Sequence, residues 1–461
     1  MASHGHLSPS SLSPIDKLPY DALREIFLHC VPTYPNVFDH IFETTPIILS
    51  HVCSSWRVVA HTSPRLWCYL SQTVAADNRN GQWMVPKQHV DLIRFWRSKH
   101  GTILPFIYMH IRSPESFEVE QLVDENAFSF ILEYLASAQY LDVNEIIWDG
   151  LATRKVACPN LRTVVLQSDE RNKRGIIPNL QLVMGLTATP PLERLSILSF
   201  ILSQEYLLLS HGSWSSLTHV ALQDVTISLR FWFDFMGRTP ALRWAYLGIY
   251  EIEMDYENLI EYTPPQLCSL FIESGDVDLC DLFSNLYLPT LHTLSLSWRI
   301  NLSWLNLEDS DVISKLPNVL KAAPNIKTLG LSEDFLPARD KWEGSDDSEM
   351  VSPSTPESSV GTTPLWTHTP HLTHLFFQNR FTTDTEEILE RVDLYRSDCP
   401  IRKLTVVDEP LRDGTREIIP SQTLKFGEHG SEFERNILVE FDMKTLAEKA
   451  WDASQTWELV D

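Results

Sequence analysis

The sequence predicts an α/β chain in which a small all-α unit precedes a right-handed solenoid of parallel strands and returning helices. Three observations carry that expectation. Two short apolar helical stripes, each introduced by proline, stand at the front. From residue 158 onward one pattern, apolar–x–x–apolar–x–apolar, in most cases with a proline just upstream, recurs along the chain. The composition, 43% hydrophobic and 21% charged, is that of a globular protein and not of a disordered one. At 461 residues the chain exceeds what one core normally organises.

Residues 1–14, "MASHGHLSPSSLSP", read as a disordered lead-in with no charged-then-apolar signal pattern. The all-α unit occupies residues 15–70. Its first helix is "LPYDALREIFLHC", with Leu23, Ile26, Phe27 and Cys30 on one stripe and Pro19 in the first turn, where a missing N–H costs nothing. Thr45-Pro46 reads as a cap followed by Pro at the first helical position, opening a helix that aligns Leu49, Val52, Trp56 and Val59. Ser63-Pro64 repeats the device and starts a short turn ending in Leu66-Trp67. About 55 residues make a marginal core, so a partner or a neighbouring domain should complete it.

Residues 71–157 form a connecting and capping region. Helices are expected at "VDLIRFWRSKHG" and "AFSFILEYLASA", strands at "ILPFIYMHI" and "LDVNEIIW". The repeats fill residues 158–461. Their first apolar positions are Leu161, Leu192, Leu217, Leu242, Leu267, Leu291, Ile326, Leu372 and Ile401, with successive spacings of 31, 25, 25, 25, 24, 35, 46 and 29. A period of 20–29 residues with this core is the leucine-rich-repeat signature. Each repeat supplies one strand and must then return to its start; "SLRFWFDFMGR" fits the return. One unit cannot bury its apolar edge alone, so neighbours stack. Residues 332–365 interrupt the stack with a Ser/Thr/Pro-rich, acidic insertion expected to be disordered. Residues 408–461, with a strand at "ILVEFDM" and a terminal helix, are expected to cap it.

Periodicity alone leaves the first helix open as core or as a plug for another protein. Its wording is more specific. "LPYDALREIFLHC" followed by "VCSSWRVVAHTSPRLWCYL" resembles an F-box over residues 15–70: the opening Leu-Pro, the Ile-Phe, the Val-Cys-x-x-Trp and the closing Leu-Trp occur in order. The whole layout resembles the large F-box and leucine-rich-repeat families of mushroom-forming fungi. That resemblance implies a substrate receptor of an SCF-type cullin–RING ubiquitin ligase. The front would dock on a Skp-type adaptor through Leu18, Pro19, Ile26, Phe27, Val52, Trp56, Leu66 and Trp67. The repeats would hold an unknown protein substrate. The stretch between Cys30 and Val52 is longer than in a compact F-box and either forms a surface loop or reshapes the docking face. The alternative is a repeat scaffold, outside any ligase, whose front merely caps the stack.

Substrate contacts are expected on the concave side, at the strand positions that alternate with the inward leucines. The candidates are Arg194, His219, Trp244, Tyr246, Phe271 and Phe376. Large aromatics on a wet surface are typical binding anchors, unless a loop or the C-terminal segment covers them. Ser352, Thr355 and Thr363, each before Pro, suit proline-directed phosphorylation. His368, His371 and His374 recur every third residue, but the stretch holds a Pro and runs into a strand, so no metal is expected.

Other functions fit poorly. A net charge of −24 repels phosphate backbones and anionic membranes. No run of about 18 apolar residues is present, and the seven cysteines never form C-x-x-C. A cytoplasmic or nuclear protein is expected, with reduced cysteines acting as small buried apolar residues. No nucleotide-binding, zinc-protease or nucleophile-elbow motif occurs, so neither catalysis nor a cofactor is expected.

Overall fold

A computed structural model describes residues 14–30, 45–75, 77–79, 82–112, 122–123, 125–144, 147–148, 151, 154, 156, 158–167, 175–176, 192–198, 200–202, 214–253, 263–264, 266–274, 283, 286–298, 311–332, 369–379, 403–408, 420–427 and 430–437. The chain is mixed α/β. It divides into two compact units, residues 1–167 with 182–191 and 457–461, and residues 168–181 with 192–456.

The first unit opens with α1 (Tyr20–Cys30), α2 (Thr45–Val52) and α3 (Ser54–His61), then a 3-10 turn at Pro64–Trp67. Strand β1 (Tyr69–Ala75) follows directly. Short strands β2 (Asp77–Arg79) and β3 (Gln82–Pro86) lead into α4 (Lys87–Lys99), β4 (Phe106–Arg112), β5 (Leu122–Val123), α5 (Glu125–Leu135), β6 (Tyr140–Asn144) and β7 (Thr163–Gln167). Strands β1, β4, β6 and β7 pair in that order, all parallel. Helix α4 is amphipathic, burying Val90, Ile93 and Trp96. It ends just before Gly101, whose φ of +64° a residue with a Cβ adopts only under strain.

The second unit contains β8 (Gly175–Ile176), β9 (Arg194–Leu198), β10 (Phe200–Leu202), β11 (His219–Ser228), α6 (Leu229–Arg238), β12 (Trp244–Glu253), β13 (Ser269–Ser274), β14 (Thr293–Trp298), α7 (Asp311–Ala322), β15 (Thr328–Ser332), β16 (His374–Asn379), β17 (Lys403–Asp408), β18 (Pro420–Gly427) and β19 (Gly430–Ile437). Strand β9 pairs β11, and β11 to β17 then pair in chain order, all parallel. Strands β18 and β19 add antiparallel. The return through "SLRFWFDFMGR" is α6, which buries Phe231, Trp232, Phe235 and Met236.

The repeat pattern maps onto the sheet with a constant offset. Each strand begins two residues after its first apolar position: Leu217 before His219, Leu242 before Trp244, Leu291 before Thr293, Leu372 before His374. The register aligns equivalent positions across the sheet, so Val220, Ala245, Leu270, Leu294, Leu329 and Leu375 lie side by side, each at most 1% exposed. Burying such a side chain stabilises by about 1.5–3 kcal/mol. The recurrent proline has a local cause. In Thr239-Pro240-Ala241-Leu242 the Leu242 N–H donates to the Thr239 carbonyl at 3.0 Å. Leu161, Leu291, Ile326 and Leu372 repeat the bond to Cys158, Leu288, Ala323 and Thr369. Proline fills the second position of this four-residue turn, where its fixed φ is already correct.

The insertion expected at 332–365 lies beyond Ser332 outside the described residues, as do the residues 1–13, most of the expected strand "ILVEFDM" and the terminal helix. Among the described residues no helix is long and apolar enough to cross a membrane. Cys30, Cys53, Cys68, Cys158 and Cys268 form no disulfide there; Cys68 and Cys158 are buried, whereas Cys30 is exposed at the end of α1.

Candidate docking face

The front helices depart from the expected pair. The stripe through Leu49, Val52, Trp56 and Val59 is broken at Cys53, which takes an extended backbone (φ −157°, ψ 175°) and ends α2. Its thiol accepts from the Trp56 N–H at 3.5 Å and so caps α3. The Arg57 Nε donates back to the Ser50 carbonyl at 2.9 Å, holding the two helices across the break. The interruption rephases the stripe. Leu49 and Val59 point inward, Trp56 is half-buried, and Val52 is 56% exposed.

The core of this front is aromatic. Phe27 is fully buried, its ring 4.8 Å from that of Trp56 in an edge-on contact. Trp67 is fully buried as well and donates from Nε1 to the Ala60 carbonyl at 2.8 Å. Its ring meets Trp96 at 4.9 Å and Phe95 at 5.2 Å, both on α4. The eight residues expected to meet an adaptor therefore separate into two groups. Leu18, Pro19, Ile26 and Val52 are exposed and Trp56 is half-buried. Phe27, Leu66 and Trp67 are at most 1% exposed. This corrects the expectation for those three: a small unit spends these side chains on its own core, where they are closed to a partner.

What remains outside is unusually greasy. Ile15, Leu18, Tyr20, Ile26, Ile48, Val52 and Val58 are exposed large apolar residues, and among the described residues only Tyr287 joins them from the rest of the chain. Exposed large apolar residues are informative where they gather and not where they are scattered singly.

The concave candidates behave differently from expectation. Trp244, Tyr246 and Phe271 are buried, at 5%, 3% and 8% exposure, and His219 is buried beside them. Neighbouring parallel strands lie about 4.8 Å apart, close enough for side chains in register to touch. The rings of His219 and Trp244 are 6.2 Å apart, those of Trp244 and Phe271 5.6 Å. The Tyr246 hydroxyl donates to Glu273 Oε2. These aromatics shield one another and are not open anchors. Arg194 stays half-exposed; the Phe376 side chain and Ser352, Thr355, Thr363 and His368 lie outside the described residues. His371 is exposed in a turn and His374 half-buried in β16. Among the described residues no cluster of metal-ligating side chains occurs.

Burial, helped by Arg194 and Arg243, pushes the His219 imidazole from 6.5 down to about 3. Below pH 6.5 the unfolded chain takes up a proton there that the folded chain refuses, so stability falls as pH drops through that window. Between pH 6.5 and about 4.5 the loss is on the order of 2 kcal/mol. His219→Gln should flatten this part of the pH dependence; urea midpoints measured at both pH values would reveal it, and parallel curves for the two proteins would refute it.

One polar group in the first unit escaped the sequence reading. On β4, β6 and β7 His110, Asp142 and Gln167 converge: His110 Nε2 lies 2.9 Å from Asp142 Oδ1, and Gln167 Nε2 donates to the same oxygen at 3.2 Å. Burial raises the Asp142 carboxyl, while bonds from His110 and Gln167 oppose the rise. Tyr108 stacks on His110 with ring centroids 4.4 Å apart. The cluster satisfies itself and reads as a rivet across three strands. Compared with models of protein families and with curated proteins, the sequence matches none.

Proposed function

We propose that this chain is the substrate-recognition subunit of an SCF-type cullin–RING ubiquitin ligase. In this reading the front helices are an F-box that docks on a Skp-type adaptor, and the parallel-strand repeats are a leucine-rich-repeat solenoid that captures a protein target. The observation that supports it most is the concentration of exposed large apolar residues between Ile15 and Val58. The chain contributes no transfer chemistry; it raises the effective concentration of its target near a ubiquitin-loaded enzyme.

The repeat scaffold that works outside any ligase draws support from Trp67, which ties the 3-10 turn to α4 and so is spent on the first unit's own packing. Co-expression of the full chain with a fungal Skp-type adaptor separates the two. Under the ligase reading the proteins co-elute on gel filtration at micromolar concentration, and Val52→Asp removes the complex while the melting temperature holds. Separate elution of the unmutated chain would leave the scaffold.

A further inference from the structure

The five residues that precede β12 to β16 read TPALR, PPQLC, LPTLH, APNIK and TPHLT. None is acidic, although the chain carries 61 acids against 37 bases. They supply Arg243, His292, Lys327 and His371, all exposed. Arg243, His292 and Lys327 hold the same place in their repeats, one residue before the strand, so the parallel register sets them in a row. Among the described residues none of the three side chains makes a hydrogen bond or ion pair. A chain this acidic could neutralise such a row many times over, and here it does not.

We propose that this edge binds an acidic, carboxylate-rich segment of the target protein. The inference rests on the reading of the repeats as the target-binding part, and it names the class of target. Charge complementarity selects the occupant: a chain of net charge −24 disfavours an acidic peptide on average, so a row of exposed cations with no acidic partner among the described residues is where one gains by docking. The geometry suits an extended segment lying across the strand ends. Arg243 and Lys327 are three strands apart, about 14 Å at the usual strand spacing. An extended peptide covers that distance in about four residues. Carboxylates roughly four residues apart would therefore meet both ends of the row, with a third near His292. Clusters of basic side chains reading acidic motifs are an established recognition mode.

The test uses the full chain and a fluorescein-labelled nonapeptide of glutamate, with a glutamine nonapeptide as control, read by fluorescence anisotropy. The glutamate peptide should bind, with affinity falling roughly tenfold or more between 50 mM and 500 mM NaCl as screening removes the attraction. Arg243→Glu with Lys327→Glu should weaken it at least about fivefold, and both sites are exposed, so the melting curve should stay in place. No binding of the glutamate peptide, equal binding of the glutamine peptide, or an unchanged affinity in the double variant would each overturn the proposal. Tighter binding of an oligothymidylate of equal charge would overturn it in favour of nucleic acid. Ile26→Asp should leave peptide binding intact, and the double variant should leave adaptor co-elution intact, so a failure here is distinguishable from a failure of the adaptor reading.

Discussion

Trp67→Ala should destabilise the first unit by about 3–5 kcal/mol for the lost ring alone. The indole also carries the bond from Nε1 to the Ala60 carbonyl. The Ala60 carbonyl keeps its bond from the Ser63 N–H at 3.4 Å, so losing the indole bond adds only about 0.5–1.5 kcal/mol. Whole domains are stable by only about 5–15 kcal/mol, so one substitution removes a large share. Trp67 joins α3, through Ala60, to α4, through Trp96 and Phe95. Its removal therefore uncouples the front helices from α4. Hydrogen exchange at 25 °C should show α1 to α3 losing protection in the variant while β11 to β15 keep theirs. Trp67→Phe, which retains most of the ring, should restore part of it. Unchanged protection in α1 to α3 would contradict the role assigned to Trp67.

Ile26→Asp should act in the opposite way. Ile26 is 44% exposed, next to fully buried Phe27 on the same helix. Exposed substitutions cost folding within roughly 0.5 kcal/mol, so the melting temperature should hardly move. Adaptor affinity should fall by at least about a hundredfold, because an unpaired carboxylate would be buried in an apolar contact at a cost of about 3 kcal/mol or more. Isothermal titration with a purified Skp-type adaptor measures this directly. An affinity within threefold of the unmutated chain would remove Ile26 from the docking face.

The parallel strands were legible because the repeats state their own register. Proline, a turn, then inward apolar side chains at fixed offsets leave little freedom, and β11 to β16 start where the pattern places them. The strands β1, β4 and β6 were harder to see as members of the same series. Ile107 and Met109 on β4 and Leu141 and Val143 on β6 are fully buried, with Leu104 two residues before β4 and Ala138 two before β6. Alanine and methionine blur the apolar signal there, and the return segments are longer.

Exposure was the weaker part of the reading, for a physical reason. Alternation says which side of a strand a residue takes, not whether that side is wet. Trp244 and Phe271 stand at strand positions that alternate with buried Ala245 and Leu270, and their rings close to 5.6 Å once the strands are adjacent. In the front unit, motif position assigned Phe27, Leu66 and Trp67 to docking. Volume assigned them to the core, where Leu23, Leu49 and Val59 are buried as well. Cys53 was the least legible feature, because a cysteine is an unusual helix cap.

The four-residue turn before the repeat strands, with proline in most of them, acts as a ruler. It fixes where a strand begins regardless of how many residues came before it, so length variation falls entirely on the return path. The spacing grows from 24 to 46 between neighbouring repeats, yet β15 and β16 still pair in step, Leu329 opposite Leu375. Such a scaffold accommodates cargo sequences grafted between Ser332 and Thr369 without loss of alignment. A lineage that duplicates it can diversify its loops while the strand ladder stays the same.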